Sequence, residues 1–356
     1  MELNYIPRHI SFLEKIASLN NYLLWQMGPR NQLEYSEVEF YQKSEICCEI
    51  KGLKKRNLPD NTQKQTVNEL IINKYNESYQ IHTDGSIINS IPGFGYYDPQ
   101  EKISYSGKLN EGFTITNTEI TAIIKALEYT ETKGVSDVVF LTDSKNTCIL
   151  LNNADESDNF LITRLKNMIT KSQIRKIRIQ WIPGHVGILG NERADYAAKR
   201  GTERNTIENI LYCKNDIIKI CKNEILKNWQ DKYEYISEEK GKFHFQHSKM
   251  ISLQPWFQDI NLTTLDIIAL TRIRTGHTAT KERLASWKII PNNRCDYCNI
   301  TENLHHILYD CRKDNFIRIN FPLLQNKTPL EKILTEKTIK NYKMITLYLR
   351  KIKLNL

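Results

Sequence analysis

Nowhere in the 356 residues do 18 apolar side chains run together, which excludes a membrane-spanning helix on hydropathy grounds. The opening MELNYIPRHISFLEKIASLN is interrupted by Glu2, Arg8, Glu14 and Lys15 before an apolar h-region can form, so no secretory signal is expected. Glycine (14) and proline (10) are too few for a collagen-like or low-complexity chain, and no segment repeats. No Asp-Asp pair occurs anywhere, so there is no Tyr/Phe-x-Asp-Asp polymerase motif. Eight cysteines are an ordinary number. Three of them cluster near the C-terminus in metal-like spacing, which points to a reducing compartment, nucleus or cytoplasm.

What is present is a basic excess with a location. Lysine and arginine number 50 against 41 acids, a net charge of +9. Residues 1–200 hold 24 basic and 24 acidic side chains, whereas 201–356 hold 26 and 17. A neutral body thus carries a basic end, compatible with a nucleic-acid partner or with a solvated helix face.

The length suggests two or three domains. Residues 1–76 carry no motif: 10–25 have mixed helical spacing, and 51–66 read as a polar linker broken by Pro59. From 77 to 202 strands and helices alternate. YQIHTDGS reads as a strand ending in a glycine turn, and GFGYYDPQEKISYSGKL as a hairpin. NTEITAIIKALEYTETKG reads as a helix with Ile120, Ile123, Ile124 and Leu127 on one face, stopped near Gly134. VSDVVFLTDS is a buried strand, 158–172 a helix, IRKIRIQWIPGH a strand and GNERADYAAKRG a helix. The order predicts an α/β fold, a mixed five-stranded sheet flanked by helices. Residues 203–356 read as mostly helical: Ile217, Ile218, Cys221, Ile225 and Trp229 form one apolar face, 240–248 are loop-like, and helical signal resumes at 263–274 and 332–353.

Four acids hold telling places on this pattern. Asp84 ends the first strand, Glu119 sits in the first turn of the first helix, Asp143 ends the fourth strand, and Asp195 lies on the last helix. Phosphodiester hydrolysis by two divalent metals wants such hard oxygen ligands. Each acid also has a plain structural reading. Asp84 suits a turn, Glu119 a capping box with Thr116, Asp143 a helix N-cap, and Asp195 an ion pair with Lys199. Four coincidences in this order of elements are harder to accept than one.

These residues resemble the type 1 ribonuclease H family. The resemblance lies in Thr83-Asp84-Gly85-Ser86, in Glu119 within Asn-Thr-Glu-Ile-Thr-Ala, in Thr142-Asp143-Ser144, and most specifically in the segment from Trp181-Ile-Pro-Gly-His185 to Asp195. The Trp-Ile-Pro-Gly-His form is similar to the nuclease domains of non-LTR retrotransposon reverse transcriptases of arthropods. The resemblance covers about 77–202. It implies cleavage of the RNA strand of RNA–DNA hybrids with two Mg²⁺ or Mn²⁺ ions, leaving 3′-hydroxyl and 5′-phosphate ends. Asp84 would bridge both metals, Glu119 and Asp143 would complete one site, and Asp195 would help hold the other. His185 would assist proton transfer or product release. The chain departs from the family in having one Asn (Asn117) before Glu119 and Lys145 after Asp143. It also lacks the basic helix that cellular members use to grip hybrid.

Further on, Cys295-Asp-Tyr-Cys298 is followed by His305, His306 and Cys311, a set that suits tetrahedral Zn²⁺. Spacing leaves His305 and His306 both open as the fourth ligand; the His-Ile-Leu-x-x-Cys run resembles the cysteine–histidine motif of non-LTR elements and implies His306. Arg272-Ile-Arg-Thr-Gly-His277 looks like part of the same tail. Nearby stand Arg272, Arg274, Lys281, Arg283, Lys288, Arg294, Arg312 and Lys313, with Trp287 and Tyr297 as stacking platforms for nucleic acid, although Trp287 also suits a core. A competing reading is a catalytically silent, nucleic-acid-binding relic of a retrotransposon polyprotein.

Overall fold

The computed structural model describes residues 36–53, 58–153 and 159–354; the helical spacing at 10–25 and the chain start lie outside the described residues. Two compact units divide the chain, residues 1–223 and 224–356, and the break falls inside one helix, Lys214–Ser237. The first unit therefore reaches past residue 202.

Its elements are α1 (Glu37–Lys43), β1 (Ser44–Cys47), α2 (Asp60–Lys74), β2 (Tyr79–Ile88), β3 (Ile91–Asp98), β4 (Ile103–Lys108), α3 (Ile115–Thr132), β5 (Asp137–Thr142), α4 (Lys145–Asn152), α5 (Phe160–Lys171), β6 (Lys176–Trp181) and α6 (Leu189–Thr202), followed by α7 (Lys214–Ser237). The sheet has six strands, not five, in the order β1-β6-β5-β2-β3-β4. The sixth comes from the segment without motifs: β1 pairs in parallel with β6, and Phe40 of α1 is buried in the main core. Part of the expected 51–66 linker is helix, since α2 starts at Asp60 directly after Pro59.

β2 is not closed by a glycine turn. It runs through Asp84 and Gly85 to Ile88, pairing antiparallel with β3 and parallel with β5. β2 and β3 form a hairpin of their own that turns at Asn89 and Ser90, both at positive φ, as a type I′ connection requires, and the expected hairpin is the β3–β4 pair. β5 is buried on both faces. Val138 and Phe140 join the core under α3 and α5, while Val139 and Leu141 pack with Val67 and Tyr75 of the α2 region. Alternation along a strand sends neighbours to opposite faces, so one apolar run feeds two cores.

α6 lies on the face that carries Asp84. A Cβ on Gly95, the register partner of Asp84, would sit 2.6 Å from the Ala198 nitrogen, so glycine sets this close approach. On the other face α3 lies against Gly85, where a Cβ would be 2.8 Å from the Glu119 nitrogen. The bare strand lets the helix bring Glu119 next to Asp84.

The second unit is helical, with α8 (Lys242–His247), α9 (Thr264–Thr275), α10 (Lys281–Ser286), a π-helical turn (His306–Asp310), α11 (Asn315–Arg318), α12 (Pro322–Gln325), α13 (Leu330–Glu336) and α14 (Ile339–Lys351). Residues 240–248 thus contain a short helix, and the expected 332–353 helix is two, broken at Lys337 in the left-handed region. Along α7, Ile217, Ile220 and Cys221 pack on the first core, while Ile218, Ile225 and Trp229 are exposed. Trp287 is exposed as well. No helix among the described residues is long and apolar enough to cross a membrane.

Candidate active site

Each sheet acid is delivered by a different element. Asp84 lies inside β2, Asp143 directly follows β5, and Glu119 is in the second turn of α3, not the first, because the helix starts earlier than expected, with Thr114 rather than Thr116 as its N-cap. One carboxylate oxygen from each of Asp84, Glu119 and Asp143 lies within 4.8 Å of the others. Asp84 and Glu119 are buried, and the Glu119 Oε2 has no hydrogen-bond partner. Asp143 is half-buried; Asn191 donates to its Oδ2 at 3.2 Å, and the Trp181 indole donates to its backbone oxygen at 3.1 Å. Neither turn nor cap accounts for these acids: Asp84 is mid-strand, and Ser144 occupies the N-cap position of α4.

Asp195 stands beside this set. It lies on α6, accepts from the Lys199 ammonium at 2.7 Å, and its charge still bears on Asp84. The ion pair one helical turn on is therefore real, and Asp195 falls outside the tight group of three.

The electrostatics are those of crowded like charges. Burial, then the charges of Asp143 and Asp195, push the Asp84 carboxyl up to about 8, against a favourable hydrogen bond from the Gly85 backbone. Burial and Asp84 push Glu119 well above the carboxylate range. Burial also raises Asp143, opposed by the hydrogen bond from Asn191 and the nearby His185. Such a cluster favours protons or cations over bare carboxylates. Hard oxygen ligands on a buried set with an unpartnered oxygen fit a divalent metal.

His185 is exposed on the otherwise largely buried loop between β6 and α6, with φ 57°, in the left-handed region. Its neighbour Gly184 has no room for a side chain, because a Cβ would be 2.6 Å from the Asp143 Oδ2. The loop is thereby pressed onto the carboxylates. Lys145 lies over the Trp181 ring at 5.1 Å.

Several supports had no sequence signal. Asn117 is buried, and its side chain donates to Asp216 at 2.7 Å, so it is not free for a groove. Asp216 also accepts from the Thr114 nitrogen at 2.7 Å and the Cys213 nitrogen at 2.9 Å. Arg193 and Arg200 of α6, with Arg204 just beyond its end, line a cleft with Ser104 and Ser106 of β4. Helical spacing puts Arg193 and Arg200 on the flank away from Asp195.

In the second unit, ligand atoms of Cys295, Cys298, His306 and Cys311 lie within 4.8 Å of one another. His306 is buried with both ring nitrogens unpartnered, whereas His305 is 72% exposed and pairs with Asp310 at 3.1 Å. His306 is the member that faces the thiols. The Arg312 backbone N–H, 3.4 Å from the Cys298 sulfur, lowers that thiol, and burial pushes Cys311 up to about 12. Three sulfurs and a buried imidazole without other partners fit Zn²⁺. Of the expected basic surface, Arg272, Lys288, Arg294, Arg312 and Lys313 are exposed, and so is Tyr297. Arg274 is buried and Lys281 pairs with Asp296 at 2.6 Å, so these two do not belong to it in that form.

The family model described as RNase H matches residues 76–203. Ribonuclease H of Pectobacterium atrosepticum is 30% identical over 149 residues, covering 37% of this chain and 95% of that protein. Ribonuclease H1 of Mus musculus is 26% identical over 170 residues, covering 41% and 60%. Ribonuclease H of Saccharomyces cerevisiae is 30% identical over 165 residues, covering 36% and 47%. The chain spans about half the length of the mammalian relatives it matches.

Proposed function

Because the chain belongs to the ribonuclease H family, we propose that it hydrolyses the RNA strand of RNA–DNA hybrids with divalent cations. The observation that carries this reading is the convergence of Asp84, Glu119 and Asp143 within 4.8 Å, with Asp195 beside them. Asp84, Glu119, Asp143 and Asp195 would hold two Mg²⁺ or Mn²⁺ ions. When bound, those ions would supply the positive charge that polarises the scissile phosphate and acidifies the attacking water. The chain's own residues do the rest. Asn191 orients the Asp143 carboxylate, and Gly85 lets Glu119 approach. His185, exposed beside Asp143, would carry a proton on its ring between solvent and the leaving 3′-oxygen. Contacts to 2′-hydroxyls in the shallow minor groove would select RNA without reading sequence.

The resemblance of the Trp181–Asp195 segment and of the cysteine–histidine run supports a retroelement origin. Cys295, Cys298, His306 and Cys311 would hold Zn²⁺ and organise the basic surface that meets nucleic acid. Reduced thiols there suit an intracellular setting, nucleus or cytoplasm. The test is the purified full chain with end-labelled hybrid and Mg²⁺. Cleavage confined to RNA and abolished by Asp84→Asn is expected. Salt-sensitive binding without turnover would favour the silent relic instead.

A further inference from the structure

The second unit contains a buried cation without a counter-ion. Arg274 of α9 is only 2% exposed. Its Nη1 donates to the Leu334 carbonyl oxygen at 3.1 Å and to the Tyr342 hydroxyl at 3.2 Å. Its Nε has no partner, and no carboxylate pairs with it among the described residues. The guanidinium lies over the Trp256 ring, 5.0 Å from the centroid. Neutral acceptors and one aromatic face leave the charge uncompensated, an expensive state in a protein interior.

Arg274 lines a cavity of about 610 Å³, a size suited to a small organic ligand. Trp229, Tyr233 and Trp256 supply flat apolar wall, Lys337 adds a second cation, and Asp259 is the one acid among the lining residues. Trp229 is 47% exposed, so an aromatic face is open at the rim. Lys337 holds its place at φ 46°, a left-handed conformation that disfavours a side chain. A guanidinium recognises phosphate through its fork, and indole rings stack on nucleobases regardless of sequence.

We propose that this cavity binds a nucleoside phosphate monoester, with the phosphate on Arg274 and Lys337 and the base against Trp229 and Tyr233. The monoester is either a free nucleotide or the phosphorylated 5′ end of a strand. The site does not rest on the nuclease reading, since its residues all belong to the second unit.

The experiment is titration of the full chain, without added divalent cation, followed by tryptophan fluorescence and calorimetry. The probes are AMP, adenosine, and one DNA oligonucleotide carrying either a 5′-phosphate or a 5′-hydroxyl. AMP should bind at least tenfold more tightly than adenosine, or the 5′-phosphorylated strand at least tenfold more tightly than its 5′-hydroxyl form. AMP binding alone identifies a free nucleotide and strand binding a terminus; either supports the site. Trp229→Ala and Lys337→Gln, both at the rim, should each weaken binding several-fold even if Arg274→Lys fails to fold. Asp84→Asn should leave it unchanged. No preference for the phosphorylated forms, affinity untouched by both rim variants, or binding of an acidic peptide in place of AMP would overturn the proposal.

Discussion

The buried carboxylate of Asp216 accepts a hydrogen bond from the side-chain amide of Asn117 at 2.7 Å, two residues ahead of Glu119. It also accepts from the Thr114 nitrogen, so a negative charge caps the amino end of the helix that delivers Glu119. Removing it strands the buried donors of Asn117 and Cys213 and the half-buried N–H of Thr114. Asp216→Ala should therefore cost roughly 2–4 kcal/mol of stability, on the scale of a missing buried charged acceptor. It should also lower kcat on hybrid about tenfold by displacing Glu119. Denaturant melts and steady-state kinetics of the full chain check both. A wild-type melt would show that the hydrogen bonds to Asp216 are dispensable.

Gly85 and Gly134 make a matched pair for testing close approach. A methyl at Gly85 meets the Glu119 nitrogen at 2.8 Å, whereas a methyl at Gly134 meets nothing within 4 Å. Gly85→Ala should destabilise by about 1–3 kcal/mol, the usual cost of overpacking, and cut kcat by tenfold or more. Gly134→Ala, strained only by its positive φ, should cost roughly 1–2 kcal/mol and leave kcat alone. Equal kinetics for the two would argue against the role assigned to Gly85.

The acid cluster should set how stability depends on pH. Asp84, Glu119 and Asp143 all have folded-state carboxyls raised above their ordinary values, Asp84 to about 8. Between about pH 4 and 8 the native state then binds more protons than the unfolded chain, so stability falls as pH rises. Chelator-treated protein should lose melting temperature across that window. Millimolar Mg²⁺ should restore it most strongly near pH 8, because cations replace the missing protons. Asp84→Asn should flatten both trends. A melting temperature that climbs from pH 5 to 8 in chelator would contradict the cluster.

The cysteine–histidine set makes its own demand. The purified chain should carry about one Zn²⁺ per molecule, as a closed Cys₃His site holds a single ion. His306→Ala or Cys298→Ser should remove it and lower the melting temperature of the second unit. His305→Ala should not, because that ring is on the surface against Asp310. Metal analysis of the three variants decides it.

Legibility followed local pattern. β5 and α3 could be read because Val138–Leu141 form an unbroken apolar run and Ile120, Ile123, Ile124 and Leu127 repeat at helical spacing. The four acids were legible through the family-like motifs around them rather than through position, since only Asp143 lies at the end of an element. β1 was not, being four residues, Ser44–Cys47, that become a strand only by pairing with β6 some 130 positions later. α2 was hidden by polarity, since Val67 is its single buried residue. Gly85 suggested a turn because sequence cannot distinguish a glycine that bends the chain from one that lets a helix approach. Asp216 was invisible for a related reason: Thr114 and Asn117, its partners at the start of α3, lie about 100 residues away.

The location of the basic charge leads to the last prediction. Residues 1–237 carry equal numbers of basic and acidic side chains, while 238–356 carry 20 against 11. Some of the 20 are spent internally, as Arg274 and Arg318 are buried and Lys281 and Lys327 are paired with Asp296 and Asp310. Of the basic residues around the cysteine–histidine set, Arg272, Lys288, Arg294, Arg312 and Lys313 remain exposed. A chain ending at Ser237 keeps the sheet, the four acids and the Asp216 hydrogen bonds. Its kcat at saturating hybrid should stay within about threefold, while its KM at 0.15 M salt rises tenfold or more, because phosphate binding dominates affinity. The slope of log affinity against log salt should shrink by roughly 0.7–0.9 for each phosphate no longer neutralised. Replacing Arg312 and Lys313 by Glu in the full chain should reproduce part of that weakening. If instead the shortened chain binds normally, and charge reversal at Arg193, Arg200 and Arg204 abolishes binding, the grip belongs to α6 and the residues just after it in the nuclease unit. The neutral body would then supply its own affinity from a local stripe that net charge conceals.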